Sequence, residues 1–293
     1  MISVIIPSRN ERFLLQTVQD LLDKARGEIE IIVVLDGYWA ELPADNRVRV
    51  IHRGTSFGMR QGINAAVAIA KGKYIMKIDA HCMVSEGYDL ELIKNCDKDW
   101  VVIPRRKRLD AENWCIADVG KVDVDYEYLC FPNNPRDFGG RSLHGRIWTE
   151  RIKDRLNKPE YDIDDNMSFQ GSCWFMHRDY FYWLELMDYK NYTSFIHEAQ
   201  EIGLKCLLSG GRLVTNKRVW YAHLHKGKKY GRMYNLDYDE FPAGSQYVNK
   251  WLTNSAWHKQ TLGFGYIIEK YSPVPGWHDN WEQELGYTRL HKK

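Results

Sequence analysis

Residues 74–78, Tyr74-Ile75-Met76-Lys77-Ile78, form a mostly apolar run that stops in Asp79-Ala80-His81-Cys82. A run of this length reads as a buried strand, and open α/β sheets hold their ligands at the carboxyl ends of such strands. Along an extended segment residues i and i+2 point the same way, so Asp79 and His81 can face one ion together. A carboxylate oxygen and an imidazole nitrogen suit a divalent cation, and the imidazole favours manganese over magnesium. The same triplet also reads as a turn capped by Asp79, with His81 an ordinary polar residue.

The pattern recurs upstream. Ser3 to Pro7 is a short apolar strand that ends in Ser8-Arg9-Asn10-Glu11, and residues 28–35 form a second that ends in Asp36-Gly37. Val48-Arg49-Val50-Ile51 reads as a third, shorter one. Between them, apolar residues at 14, 15, 18, 21 and 22 and again at 59, 63, 66, 67, 69 and 70 follow helical spacing. Gly27 and Gly72 stand where helix-closing glycines commonly stand. The alternation predicts a βαβαβ half with a right-handed parallel sheet. Ser8 to Glu11, Asp36, Asp79 and His81 then gather at one sheet edge, the crevice where a nucleotide is expected.

A chain of 293 residues with 44% apolar and 27% charged residues has the composition of a soluble globular protein. No apolar run approaches the length of a membrane span, and Met1-Ile2-Ser3-Val4 reads as a first strand, not a signal peptide. The six cysteines are scattered without a CxxC pair, which predicts reduced thiols and a cytoplasmic setting. A net charge of +2 requires any basic surface to be local.

Six segments in order carry a family resemblance. Val4-Ile5-Ile6-Pro7-Ser8-Arg9-Asn10-Glu11, then Val33-Val34-Leu35-Asp36-Gly37, then Asp79-Ala80-His81-Cys82 resemble the GT-A glycosyltransferases of family 2. They are most similar to the polypeptide N-acetylgalactosaminyltransferases, which also carry Asp-x-His in place of Asp-x-Asp. Residues 169–181 resemble the glycine-containing acceptor-site strand of that group. Glu198-Ala199-Gln200-Glu201-Ile202-Gly203, followed by Gly210-Gly211, resembles their acidic helix. Trp220-Tyr221-Ala222-His223 resembles the segment that supplies a second histidine to the metal. Residues 220–227 also resemble compact family 2 proteins encoded by bacteriophages, some of which act on hydroxymethylated pyrimidines in DNA.

The resemblance implies an α/β fold of GT-A type, a Rossmann-like nucleotide-binding half in a mixed central sheet, over residues 1–240. A Trp-rich extension (241–293) packs on it. It implies a nucleotide-sugar donor, a UDP-sugar above all, and Mn2+ or Mg2+ held by Asp79, His81 and His223. His225, two residues on, competes with His223 for the last place. Pro7, Arg9 and Glu11 would line the base and ribose pocket, Asp36 would bond the base or ribose, and Arg60 would approach the base or diphosphate. Gly171 to Trp174 would run beneath the transferred sugar, with the Trp174 ring as an apolar face. Glu198 and Glu201, three apart, share a helix face and are the candidates for acceptor positioning or general base. Ala199 stands where inverting relatives carry the base aspartate. Either Glu198 takes over that work or the reaction retains configuration.

Residues 104–165 read as a basic, acceptor-side excursion through Arg105, Arg106, Lys107, Arg108, Arg136, Arg141, Arg146 and Arg151. A charge run of this kind is either a solvated face or a site for an anionic acceptor. The leading expectation for the acceptor is a 5-hydroxymethylpyrimidine in DNA, against a glycan precursor or a protein side chain. Leu224 to Arg232, with glycines at 227 and 231, is expected to close over the nucleotide, its lysines facing phosphate. Two other classes share some of these features. A nucleotidyltransferase uses a similar sheet edge but needs a glycine-rich phosphate loop that is missing after the first strand. A non-catalytic carbohydrate-binding protein would account for 11 tryptophans but not for the Asp/His set.

Overall fold

In the computed structural model, residues 1–118, 120–133, 142–236, 241–254 and 256–290 are described. The amino-terminal half runs Ile2–Ser8 (β1), Leu14–Lys24 (α1), Ile29–Asp36 (β2), Val48–Arg53 (β3), Met59–Ile69 (α2) and Tyr74–Ile78 (β4). Then come Cys82–Val84 (β5), Tyr88–Lys94 (α3), Trp100–Asp110 (β6), Cys115–Ile116 (β7), Glu127–Leu129 (β8), Gly145–Ile147 (β9), Thr149–Asp154 (α4) and Ile163–Asp165 (β10). Cys173–His177 (β11), Arg178–Trp183 (α5), Tyr189–Tyr192 (α6), Glu198–Leu208 (α7) and Arg212–His223 (β12) complete the sheet and its cover. The last elements are Gly227–Tyr230 (α8), Phe241–Val248 (α9), Gly265–Tyr271 (α10) and Trp281–Leu285 (α11).

The main sheet has the order β10-β12-β6-β11-β4-β1-β2-β3. Strands β4, β1, β2 and β3 are parallel neighbours, as the alternation predicts. Beyond β4 the sheet turns mixed: β11 lies antiparallel to both β4 and β6, and β12 lies parallel to β6.

Side-chain alternation sorts the core onto two faces. Val4, Ile6, Ile31, Val33, Leu35, Met76 and Ile78 face α1, which brings Leu14, Val18, Leu21 and Leu22. Ile5, Ile32, Val34 and Ile75 face α2, which brings Ile63, Ala66 and Val67. Helix α7 and the carboxyl-terminal residues Val248, Trp251, Phe264, Ile267 and Trp281 extend this second face into one continuous core. Of the extension's tryptophans, Trp277 and Trp281 pack on each other with ring centroids 5.3 Å apart, while Trp257 packs on Trp183.

The start of the basic run lies in the sheet. Residues 105–108 continue β6 alongside β12, where Arg106 is opposite Tyr221 and Arg108 opposite His223. Their charges meet acids on the neighbouring 122–129 segment. Arg105 pairs with Asp125 at 2.7 Å, Arg106 with Glu127 at 2.9 Å and Lys107 with Asp123 at 2.6 Å, while Arg108 donates to the Val122 carbonyl. Arg151 lies over the Tyr126, Trp148 and Tyr271 rings, and Arg146 is exposed. Arg136 and Arg141 lie outside the described residues. No helix of the described residues is long and apolar enough to cross a membrane.

Candidate metal and nucleotide site

Strand β4 ends at Ile78, and the Asp79 amide donates to the Ser172 carbonyl at 2.9 Å, so Asp79 leaves the sheet in a fixed direction. Three residues on, β5 pairs with the end of β12, placing Cys82 opposite His223. The Leu224 amide closes that corner on the His81 carbonyl at 3.1 Å. Strand pairing therefore brings together two histidines 142 positions apart, their Nε2 atoms separated by 3.1 Å. The Asp79 Oδ2 lies 3.4 Å from His223 Nε2 and 3.9 Å from His81 Nε2. All three ligand atoms fall within 4.8 Å of one another. His225 lies past the end of β12 and is exposed, and it is His223 that converges with Asp79 and His81.

The chemistry of this donor set fits a divalent ion. Burial pushes the His223 imidazole down to about 4, which keeps it in the neutral form that ligates metals. Burial alone would raise the Asp79 carboxyl, but Lys77, His223 and His81 together hold it well below the ordinary carboxylate range. Two imidazole nitrogens and a carboxylate oxygen converge on one point, and these are donor types that a divalent ion takes.

Glu11 stands behind the pair, its carboxylate 3.3 Å from His81 Nδ1. Its oxygens also accept from Lys226 at 2.6 and 2.7 Å, tying the segment after His223 to the end of β1. Burial works to raise the Glu11 carboxyl, and His81 and Lys226 outweigh it. Arg9 lies over the Tyr234 ring at 4.7 Å, with Nε buried and unpartnered, and Pro7 is half-buried in β1. Pro7, Arg9, Glu11 and the metal set thus share one edge of the sheet. Asp36 joins that edge, but its carboxylate is occupied: it accepts from Ser56 Oγ at 2.6 Å and from the Phe57 and Gly58 amides at 2.9 and 3.0 Å. It shapes the turn before α2.

Other expected residues sit elsewhere. Arg60 does not reach toward a diphosphate. It is 2% exposed and donates to the Ser194 and Ile196 carbonyls and to Glu201. Glu201 is sealed as well, accepting also from Lys205 and the Asp188 amide, so it does not share an open face with Glu198. Trp174 is fully buried and stacks on Phe181 in the core, so its ring offers no face to a sugar. Its indole N–H instead donates to Glu198 Oε1 at 2.7 Å. The other Glu198 oxygen lies 3.3 Å from Lys77 Nζ, and burial raises this carboxyl while Lys77 opposes the shift. Periodicity alone assigns Lys77 no role. The signal was there: a lysine inside a buried strand demands buried counter-charges.

Comparison with known proteins adds the following. Residues 3–183 match the sequence model of "Glycosyl transferase family 2". A stretch of 96 residues is 36% identical to "Glycosyltransferase GlyG" of Streptococcus pneumoniae serotype 4, covering 30% of this chain and 32% of that protein. The fold is similar to the crystal structure of GalNAc-T7 with UDP, GalNAc and Mn2+, with a TM-score of 0.68 at 16% identity. That likeness covers 99% of this chain and 55% of the other. S. aureus TarS 1-349 in complex with UDP-GlcNAc is similar at a TM-score of 0.55 and 14% identity, over 92% and 69% of the two chains. The chain therefore spans only part of the relatives it matches.

Proposed function

The chain belongs to glycosyl transferase family 2, and on that footing we propose that it moves a sugar from a UDP-sugar to an acceptor hydroxyl with the help of a divalent ion, Mn2+ foremost. The observation that carries this reading is the convergence of Asp79, His81 and His223 at the carboxyl edge of the parallel strands. Those residues would hold the ion, and a divalent ion so held supplies positive charge where the departing diphosphate gains negative charge. Pro7, Arg9 and Glu11 would line the nucleoside side of the crevice. Lys226, paired with Glu11, would be a lysine of this segment that faces phosphate.

Transfer with retained anomeric configuration fits the first turn of α7. Glu198 is bonded at one oxygen to Trp174 and faces Lys77 with the other; Ala199 has no base, and Glu201 is sealed. With no carboxylate open to the acceptor on the first turn of α7, its proton would go to the leaving group. The bond from anomeric carbon to phosphate oxygen breaks with its electron pair on that oxygen. The acceptor oxygen bonds the carbon from the same face, and its proton passes to the phosphate.

For the acceptor, a 5-hydroxymethylpyrimidine of DNA rests on the resemblance of residues 220–227. The basic run that accompanied it is spent on internal ion pairs, so neutral glycan and protein hydroxyls belong in the same assay. The test incubates protein, Mn2+ and α-linked UDP-sugars with DNA containing hydroxymethylcytosine or hydroxymethyluracil, then weighs the nucleosides. A hexose-sized gain supports the DNA acceptor; no gain, with UDP still released to water, removes it and keeps the transferase. An α-linked product by NMR is expected, and a β-linked one would return the base role to a carboxylate.

A further inference from the structure

Lys77 is the fourth of the five residues of β4, opposite Ile5 on one side and Trp174 on the other, and is 1% exposed. Its Nζ donates to the Gly171 carbonyl at 2.6 Å and to Asp79 Oδ1 at 2.7 Å, and approaches Glu198 Oε2 at 3.3 Å. These contacts use all three ammonium protons. They also divide the Asp79 carboxylate: Oδ1 belongs to the lysine, while Oδ2 is the oxygen nearest both imidazoles.

Resting on the metal set proposed above, we infer that Lys77 is a positioning residue that makes Asp79 a one-oxygen ligand and so sets which ion the site prefers. A carboxylate with both oxygens free can bind in bidentate fashion, as suits Ca2+, which takes more oxygen ligands at longer distances. A carboxylate with one oxygen engaged by a fixed cation offers a single short bond, which suits a smaller ion accepting imidazole nitrogens. The Asp79 amide bond to Ser172 and the Lys77 bond to Gly171 hold the same carboxylate from backbone and side chain, so its rotation is restricted twice. A lysine present only to neutralise Glu198 would not need to reach Asp79. The geometry places it between the two, 2.7 Å from the ligand and farther from the glutamate.

The test measures Mn2+ affinity by the free-ion electron paramagnetic resonance signal and Ca2+ affinity by competition, without sugar nucleotide. Wild type is compared with Lys77→Met and with Lys77→Met/Glu198→Met, which removes both buried charges and keeps a folded core available. Circular dichroism confirms folding before titration. The expected result is that the preference for Mn2+ over Ca2+ shrinks about tenfold or more in both variants, the scale on which outer-shell partners of ligands act. A preference unchanged within about twofold in either folded variant overturns the role of Lys77 while leaving the metal set intact. A wild-type protein that binds no Mn2+ overturns the metal set and this inference together.

Discussion

Replacing Gly171 by alanine tests how tightly the buried charges behind the site are held. The added Cβ would lie 2.6 Å from Glu198 Oε2 and 2.9 Å from its carboxyl carbon. A flexible side chain could swing away, but Glu198 is buried, bonded to Trp174 at 2.7 Å and set against Lys77. Either the strand shifts, at about 1–3 kcal/mol for overpacking, or Glu198 gives up a charged hydrogen bond worth about 1.5–3 kcal/mol. Reduced freedom of the unfolded chain returns about 0.4–1 kcal/mol. The net destabilisation of Gly171→Ala should therefore lie at about 0–2.6 kcal/mol, by the same arithmetic. Urea unfolding followed by circular dichroism measures it, alone and in a Glu198→Ala background where the clash is gone. There the same substitution should be neutral or slightly stabilising. Equal costs in both backgrounds would refute the reasoning, because the strain would then not run through Glu198.

Two further outcomes follow from the same geometry. Trp174→Phe removes the N–H that holds Glu198 and should cost roughly 1.5–3 kcal/mol in the same unfolding assay. UDP affinity by calorimetry should not change, and a tenfold weaker affinity at wild-type stability would restore the ring as a ligand platform. His197 and His223 are both pushed down to about 4 by burial from an ordinary value of 6.5. The unfolded chain therefore binds more protons between these values, and metal-free stability should fall as pH drops from 6.5 through 4. The limit is about 1.4 kcal/mol per pH unit for each uncompensated proton. A stability flat from pH 6.5 to 5 would contradict the burial of these rings.

The parallel half was legible because its information is local. Each strand is a short apolar run, each helix carries its own periodicity, and the polar ends of β1, β2 and β4 fall at one edge by the rules of the sheet. Asp79 and His81 share a side by i, i+2 spacing alone. What the sequence hid depends on partners far along the chain. Arg60 meets Glu201 141 positions away, and the two neutralise each other in the core, where each alone suggested a ligand contact. The cations of β6 looked solvated because their acids lie across a neighbouring segment, 16 to 21 residues on. Trp174 was ambiguous in principle, since an indole suits a sugar platform and a core equally. Which histidine meets Asp79 and His81, His223 or His225, depends on where β12 ends, and strand ends are what periodicity defines least well.

The most direct measurement follows UDP release from UDP-sugars by the wild-type chain, Asp79→Ala and His223→Ala, each with Mn2+ and with a chelator. The account predicts release by wild type with Mn2+, its loss in chelator, and its loss in both variants even at high Mn2+. Release that continues undiminished in chelator, or in His223→Ala, would contradict the assignment of Asp79, His81 and His223 as the metal-holding centre of the transferase.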